Sequence, residues 1–210
     1  MRPPLQGYAR GVELLELLDW KRRVFALYAE VRAGDPEAGC RRWRATRDEL
    51  FRSHPQSPLP RDARASFAGL RYFDYDPSLR VLADVESAEP EHREVATSGD
   101  HPYAFTRIGR ARFSLGGEAY ALELYWLDAY GGGLFLPFAD ATSGRETYGA
   151  GRYLLDTVKG ADLGGDDGRL VLDFNFAYNP SCSYDPSWVC PLAPPANRLP
   201  IAIRAGERVA

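Results

Sequence analysis

A chain of 210 residues with 45% hydrophobic and 26% charged side chains holds enough apolar material for a folded core and lies outside the composition of disordered chains. Its formal net charge is −3, and acids balance its basic clusters, Lys21-Arg22-Arg23 and Arg41-Arg42-Trp43-Arg44. Phosphate binding needs a sustained basic face, so the composition disfavours a nucleic-acid partner.

The length fits one domain with an appended helical piece. Residues 1–53 read as an N-terminal helical segment packed on the main domain, and 54–210 as an antiparallel β domain with a C-terminal plug segment. No secretory or membrane segment is expected. The run "VELLELLDW" is broken by Glu13, Glu16 and Asp19, and the apolar stretch "YALELYWLDAYGGGLFLPFA" carries Glu123, Asp128 and a glycine cluster. The expectation is a soluble, cytoplasmic protein with no membrane partner; oligomeric state is left open.

Residues 1–10, with Pro3, Pro4 and Gly7, read as a flexible leader. From Val12 to Val31 apolar residues recur at helical spacing, with Leu14, Leu17, Leu18, Val24, Phe25, Tyr28 and Val31 near one side. Gly34 can end this helix. Asp35 is placed to cap a second one with Pro36 at its first position, where the missing N–H costs nothing. That helix stops before His54-Pro55, since a residue before proline avoids the helical region. A short helical turn is expected around 62–67.

After Gly69 the period becomes alternating. "LRYFDYDPSLRVLADVE" reads as two strands around Asp76-Pro77-Ser78, and "HREVATSGDHPYAFTRIG" as a hairpin turning at Ser98-Gly99-Asp100. In "RIGRARFSLGGEAYALELYW" the pair Gly116-Gly117 suits a two-residue primed turn. That turn pairs Leu115 with Glu118, Phe113 with Tyr120, Ala111 with Leu122 and Gly109 with Leu124. The other face pairs Arg112 with Ala121 and Arg110 with Glu123. Further strands are expected at 134–139, 147–157 and 169–176, and one more in "RLPIAIRAG". Strands joined by short turns imply a mainly β protein with N-terminal helices (α+β). Its strongly bent antiparallel meander would close as a barrel or a two-layer sandwich.

Three segments resemble a family of prokaryotic proteins, the domain of unknown function 1684: "HPQSPLPRDARASFAGLRYFDYD" (54–76), "LFLPFADATSGRETYGAGRYL" (134–154) and "LDFNFAYNPSCSYDPSWVCPLAPPANRLPIAIRAGE" (172–207). The likeness covers about residues 40–207, and "DATSGRETYG" and "NFAYNPSC" are its most specific pieces. The family has no established activity, so the resemblance implies no catalytic residue.

The residues themselves offer a site. Asp140, Glu146 and Asp173 are candidate acid/base groups if the sheet brings two of them together. Arg145 and Arg152 can fix a carboxylate or phosphate. Tyr148, Asn175, Tyr178, Asn179, Tyr184 and Asp185 can supply directional contacts amid apolar walls. Gly149 and Gly151 on one strand face would leave room for a ligand. Each feature has a plainer reading: surface ion pairs for the arginines, a tight hairpin for the glycines, and a barrel plug for the ring- and proline-rich tail. Cys182 and Cys190 lack the histidines and close spacing of a zinc site, so no metal and no cofactor are expected, and whether the two are bridged is left open. The function expected is a polar-aromatic pocket for a small organic ligand. The alternatives are a hydrolase-like enzyme using a pocket carboxylate and a structural or protein-interaction module.

Overall fold

The computed structural model describes residues 11–128 and 130–209. The leader reading of residues 1–10 lies outside them. Two helices, α1 (Gly11–Ala33) and α2 (Pro36–Ser53), precede seven strands. Asp35 caps α2, its Oδ1 accepting from Ala38 N at 2.8 Å, with Pro36 in the first turn. The chain leaves α2 at His54, whose N–H donates to Leu50 O at 3.0 Å, and a short 3₁₀ turn follows at Ala63–Ser66. Among the described residues no helix is long and apolar enough to cross a membrane.

The strands are β1 (Arg80–Val95), β2 (Tyr103–Leu115), β3 (Glu118–Leu127), β4 (Leu134–Phe138), β5 (Arg152–Asp156), β6 (Gly165–Asp166) and β7 (Arg169–Asp173). They form one antiparallel sheet in the order β5-β4-β3-β2-β1-β7-β6. The β2–β3 hairpin turns through Gly116 and Gly117, at φ 59° and 86°, and has the register its turn dictates: Leu115 faces Glu118 and Gly109 faces Leu124. In β1 the register against β2 shifts between Ser87 and Glu91, where Pro90 removes a ladder donor.

Chain length forces this sheet to curl. Asp156 and Ala161 exchange backbone hydrogen bonds of 2.9 and 3.0 Å, so residues 157–160 form a tight loop that covers no distance. Only 161–164 then lead to β6, and four extended residues reach at most about 14 Å. A flat sheet would separate β5 from β6 by six strand spacings, about 29 Å. The result is a half-barrel: the two edges approach, but β5 and β6 do not pair. The C-terminal segment fills the concave side, where Leu199, Ile203 and Ala205 join Phe113, Leu124 and Phe138 in the main core.

The helices pack on the sheet through a second core that joins Leu27, Tyr28, Val31 and Trp43 to Val171 and Phe176. Burial on α1 is confined to its later turns. Leu14 and Leu18 stay 51 and 40% exposed, because the expected stripe is longer than the surface beneath it, and Phe25, 47% exposed, lies at the edge of the packed face beside Gly160. Three strand expectations are also corrected. The segment before Asp76 forms no strand; its backbone pairs through an isolated bridge from Tyr72 to Glu207. The strand expected at 147–157 starts at Arg152, because 140–151 coils around Asp140; Gly149 and Gly151 therefore share no strand face. The "RLPIAIRAG" segment forms no strand; it follows the end of β4 through an isolated parallel bridge between Ala139 and Arg198, with Leu199 N donating to Ala139 O at 2.8 Å and Ala141 N to Ile201 O at 3.0 Å.

Candidate functional site

Two buried polar networks fix the C-terminal segment. In the first, Arg152 is 1% exposed and pairs with Asp140 at 2.7 Å. It also donates to the carbonyls of Ile203 (2.9 Å), Ala205 and Glu207 (3.1 Å). The other oxygen of Asp140 accepts from both N–H and hydroxyl of Thr142. The guanidinium thus supplies the hydrogen bonds that a neighbouring strand would have supplied to these carbonyls.

The second network centres on Glu207, which is 1% exposed. Arg47 Nη2 donates to its Oε2 at 2.8 Å, Asn179 N donates to the same oxygen at 3.0 Å, and the Tyr184 hydroxyl donates to Oε1. Burial pushes the Glu207 carboxyl above its ordinary range, against the opposing pull of Arg47. Arg47 also donates Nε to the Tyr72 hydroxyl at 3.2 Å. Its guanidinium lies about 5 Å from the rings of Trp43, Phe51 and Tyr178, each near enough for a cation–π contact. Gly206 makes this placement possible. Its φ is 71°, and a Cβ there would stand 2.5 Å from Ala177 O.

Beside this network is a cleft of about 80 Å³. Trp20, Leu27 and Tyr28 come to it from α1, and Trp43, Arg47 and Phe51 from α2. The facing wall is Tyr153 and Lys159 from the end of β5, with Tyr178, Asn179 and Tyr184 from the tail. Lys159 is paired with Asp156 at 3.1 Å, which holds the ammonium pKa up. Asn179 is 5% exposed, and its Oδ1 is buried with no hydrogen-bond partner among the described residues. A buried acceptor left unpaired costs about 1–3 kcal/mol.

The structure brings Tyr178, Asn179 and Tyr184 of the sequence-derived set to this cleft and places the rest elsewhere. Arg152 and Asp140 hold each other beneath the tail. Glu146 forms a surface fork with Arg204 at 2.9–3.2 Å, which lowers its pKa. Arg145 is exposed. The Tyr148 hydroxyl lies 3.8 Å from Cys182 Sγ, and burial raises it to about 12. Asn175 ties the tail to the 76–77 turn, its Oδ1 accepting from Asp76 N and its Nδ2 donating to Asp76 O. Asp185 closes a turn by accepting from Ser187 N at 2.9 Å. Cys40, Cys182 and Cys190 are buried free thiols.

Asp173 ends β7 and accepts from both N and Nδ2 of Asn175 through Oδ1, which curls the chain into a 3₁₀ turn. Phe174, Asn175 and Phe176 are consequently all buried instead of alternating between faces. Asp173 Oδ2 has no hydrogen-bond partner among the described residues; Arg80 Nε lies 3.9 Å away. Burial therefore raises the Asp173 pKa despite the bonds from Asn175. The folded state holds this proton more tightly than the unfolded chain does. The stability it contributes is complete below the ordinary aspartate pKa, about 4, and is lost as pH rises through the raised value. Asp173→Asn keeps the acceptor for Asn175 N and cannot ionise. Urea unfolding should show the variant more stable than wild type at pH 7 and equal to it at pH 3. Equal stability at both values would refute an unpaired carboxylate here.

The residues missed by sequence reading are Arg47, Glu207, Tyr72, Lys159 and the rings of α1 and α2. One signal was available. Trp43, Arg47 and Phe51 recur at four-residue intervals on α2, so a charged residue interrupts an aromatic stripe on a single helix face.

The chain belongs to the family described as "Protein of unknown function (DUF1684)", whose model matches residues 65–208. The solution NMR structure of an uncharacterised protein from Haloarcula marismortui is similar, at 38% identity and a TM-score of 0.60. The match covers 82% of this chain and 94% of that one. No curated protein matches the chain. The helical wall of the cleft precedes the span matched by the family model, while the facing wall, Glu207 and Arg152 lie within it.

Proposed function

We propose that the cleft between the helical pair and the 178–184 segment binds a small organic molecule. The observation carrying this reading is the lining of the cleft, where the rings of Trp20, Trp43, Phe51, Tyr153 and Tyr178 face a few polar groups, among them Asn179 and Lys159. Small-molecule sites likewise combine mostly apolar walls with a few fixed polar groups. The Asn179 backbone is fixed, its N–H tied to Glu207. A hydrolase-like role would need a free carboxylate in the cleft, and Glu207, bonded to three lining residues, has both oxygens already occupied.

A thermal-shift screen against a metabolite library tests the reading. A ligand at one hundred times its Kd adds about 2.7 kcal/mol of stability, or about 5–10 °C in Tm for a chain of this size. Val24→Trp, which places an indole in the cleft from the half-buried face of α1, should abolish the shift. A shift of the same size in that variant would place the ligand elsewhere and contradict the proposal.

A further inference from the structure

We infer that Cys182 and Cys190 are a paired redox-modification site, which a small disulfide oxidises to an intramolecular bridge that clamps the loop carrying Tyr184. The inference does not depend on whether the cleft takes a ligand. Three observations carry it. The first is contact. Cys182 N donates to Cys190 Sγ at 3.4 Å, so this sulfur lies within about 5 Å of Cys182 Cα, one N–Cα bond further on. A disulfide needs Cα atoms about 4.4–6.8 Å apart, a span that this sulfur position allows. The second is anchorage. The Cys190 N–H donates to Ser98 Oγ at 3.0 Å, and its carbonyl accepts from Ser98 N at 2.9 Å. Cys182 sits in the 3₁₀ turn Ser181–Ser183, where Ser183 N donates to Pro180 O at 2.9 Å. Both ends of the loop are therefore fixed, while Pro186, Ser187 and Val189 between them are exposed. Local opening of that exposed stretch admits an oxidant without unfolding the sheet. The third is selectivity. Cys40 is 1% exposed on α2, and its Sγ is directed at Asn175 O at 3.7 Å rather than at a thiol.

The reaction is thiol–disulfide exchange. One thiolate of the pair attacks a small disulfide, RSSR, forming a mixed disulfide and releasing RS⁻. The second thiolate attacks the protein sulfur of that mixed disulfide and releases the other RS⁻. Two thiols are oxidised, RSSR is reduced to two RSH, and the protons lost by the cysteines go to the released thiolates. Burial pushes the Cys190 thiol up to about 11, which slows the exchange near neutral pH. The bridge closes the loop of residues 182–190 and removes freedom mainly from the unfolded chain. Within that loop the Tyr184 hydroxyl bonds Glu207, and the Tyr184 ring lies 5.0 Å from Phe51. Bridging therefore holds this wall of the cleft against opening.

The test incubates the folded protein with excess oxidised glutathione at pH 8.5, then quenches it with acid, alkylates it in denaturant and digests it with trypsin. Both cysteines fall in one tryptic peptide, residues 170–198, because no Lys or Arg lies between Arg169 and Arg198. The expected result is that peptide lighter by two hydrogens, with Cys40 alkylated and Tm about 5–10 °C higher, all reversed by dithiothreitol. Cys190→Ser should form no bridge and show no rise in Tm, and Cys40→Ser should bridge as wild type does. The wild-type peptide map decides the matter even where a variant fails to fold. Alkylation of every cysteine after prolonged incubation, a stable glutathione adduct on wild type, or a bridge to Cys40 would overturn the inference. A 182–190 bridge that leaves Tm unchanged would overturn the clamp.

Discussion

Replacing Arg152 with methionine is expected to remove about 3–5 kcal/mol of stability, the range measured when one member of a buried ion pair is deleted. Total stability of a domain is about 5–15 kcal/mol, so the variant should sit near its unfolding threshold at 37 °C. The loss has two sources. Asp140 would be left in the interior without its cation, with only Thr142 to bond its carboxyl. The carbonyls of Ile203, Ala205 and Glu207 would lose their shared donor, and the C-terminal segment would lose its attachment to β5. Pairing the change with Asp140→Asn separates these sources. The double variant relieves the stranded charge but not the carbonyls, so it should recover part of the loss and never all of it. Urea midpoints of the three variants measure this directly. A loss below about 1 kcal/mol for Arg152→Met would mean that the Arg152 network is not what holds the tail.

The second large effect is expected at Glu207. Glu207→Ala leaves Arg47 buried among three rings with only the Tyr72 hydroxyl as partner, and it strands the Tyr184 hydroxyl and the Asn179 N–H. A loss of about 3–5 kcal/mol follows from the unpaired charge. The ion pair itself can be isolated by a double-mutant cycle of Glu207→Gln with Arg47→Met, where a coupling of about 1–3 kcal/mol is expected for groups in one network. Coupling near zero would show that Glu207 serves Tyr184 and Asn179 rather than Arg47. Because Asn179 depends on Glu207 for its position, Glu207→Gln should also weaken any ligand of the cleft, even where the fold survives.

Local chemistry made much of this fold legible in sequence. Asp35-Pro36 sets the start of α2, and Gly116-Gly117 sets both the turn and the register of β2 with β3, because each depends on neighbours a few residues away. The sheet's curl was less legible, since it follows from the 156–161 pairing that leaves only four residues to link the two edges. The site was read in part. Tyr178, Asn179 and Tyr184 stood out as polar-aromatic residues in a stretch unable to form helix or long strand. Their partners did not, because Arg47 meets Glu207 across 160 positions of chain, and a lone arginine on a helix ordinarily points its head to water. Alternation misled at 173–176, the end of the expected strand, where the Asp173 carboxylate bends the backbone by a bond that no hydrophobic pattern records.

The cleft's role is tested most directly by the tryptophan indole N–H signals in a two-dimensional ¹⁵N NMR titration with a molecule that raises Tm in the library screen. Trp20 and Trp43 line the cleft, whereas Trp126 and Trp188 lie outside its walls. Saturable shifts of the Trp20 and Trp43 signals, with Trp126 and Trp188 unmoved, are the expected result. Shifts confined to Trp126 or Trp188, or saturation with all four signals unmoved, would contradict it.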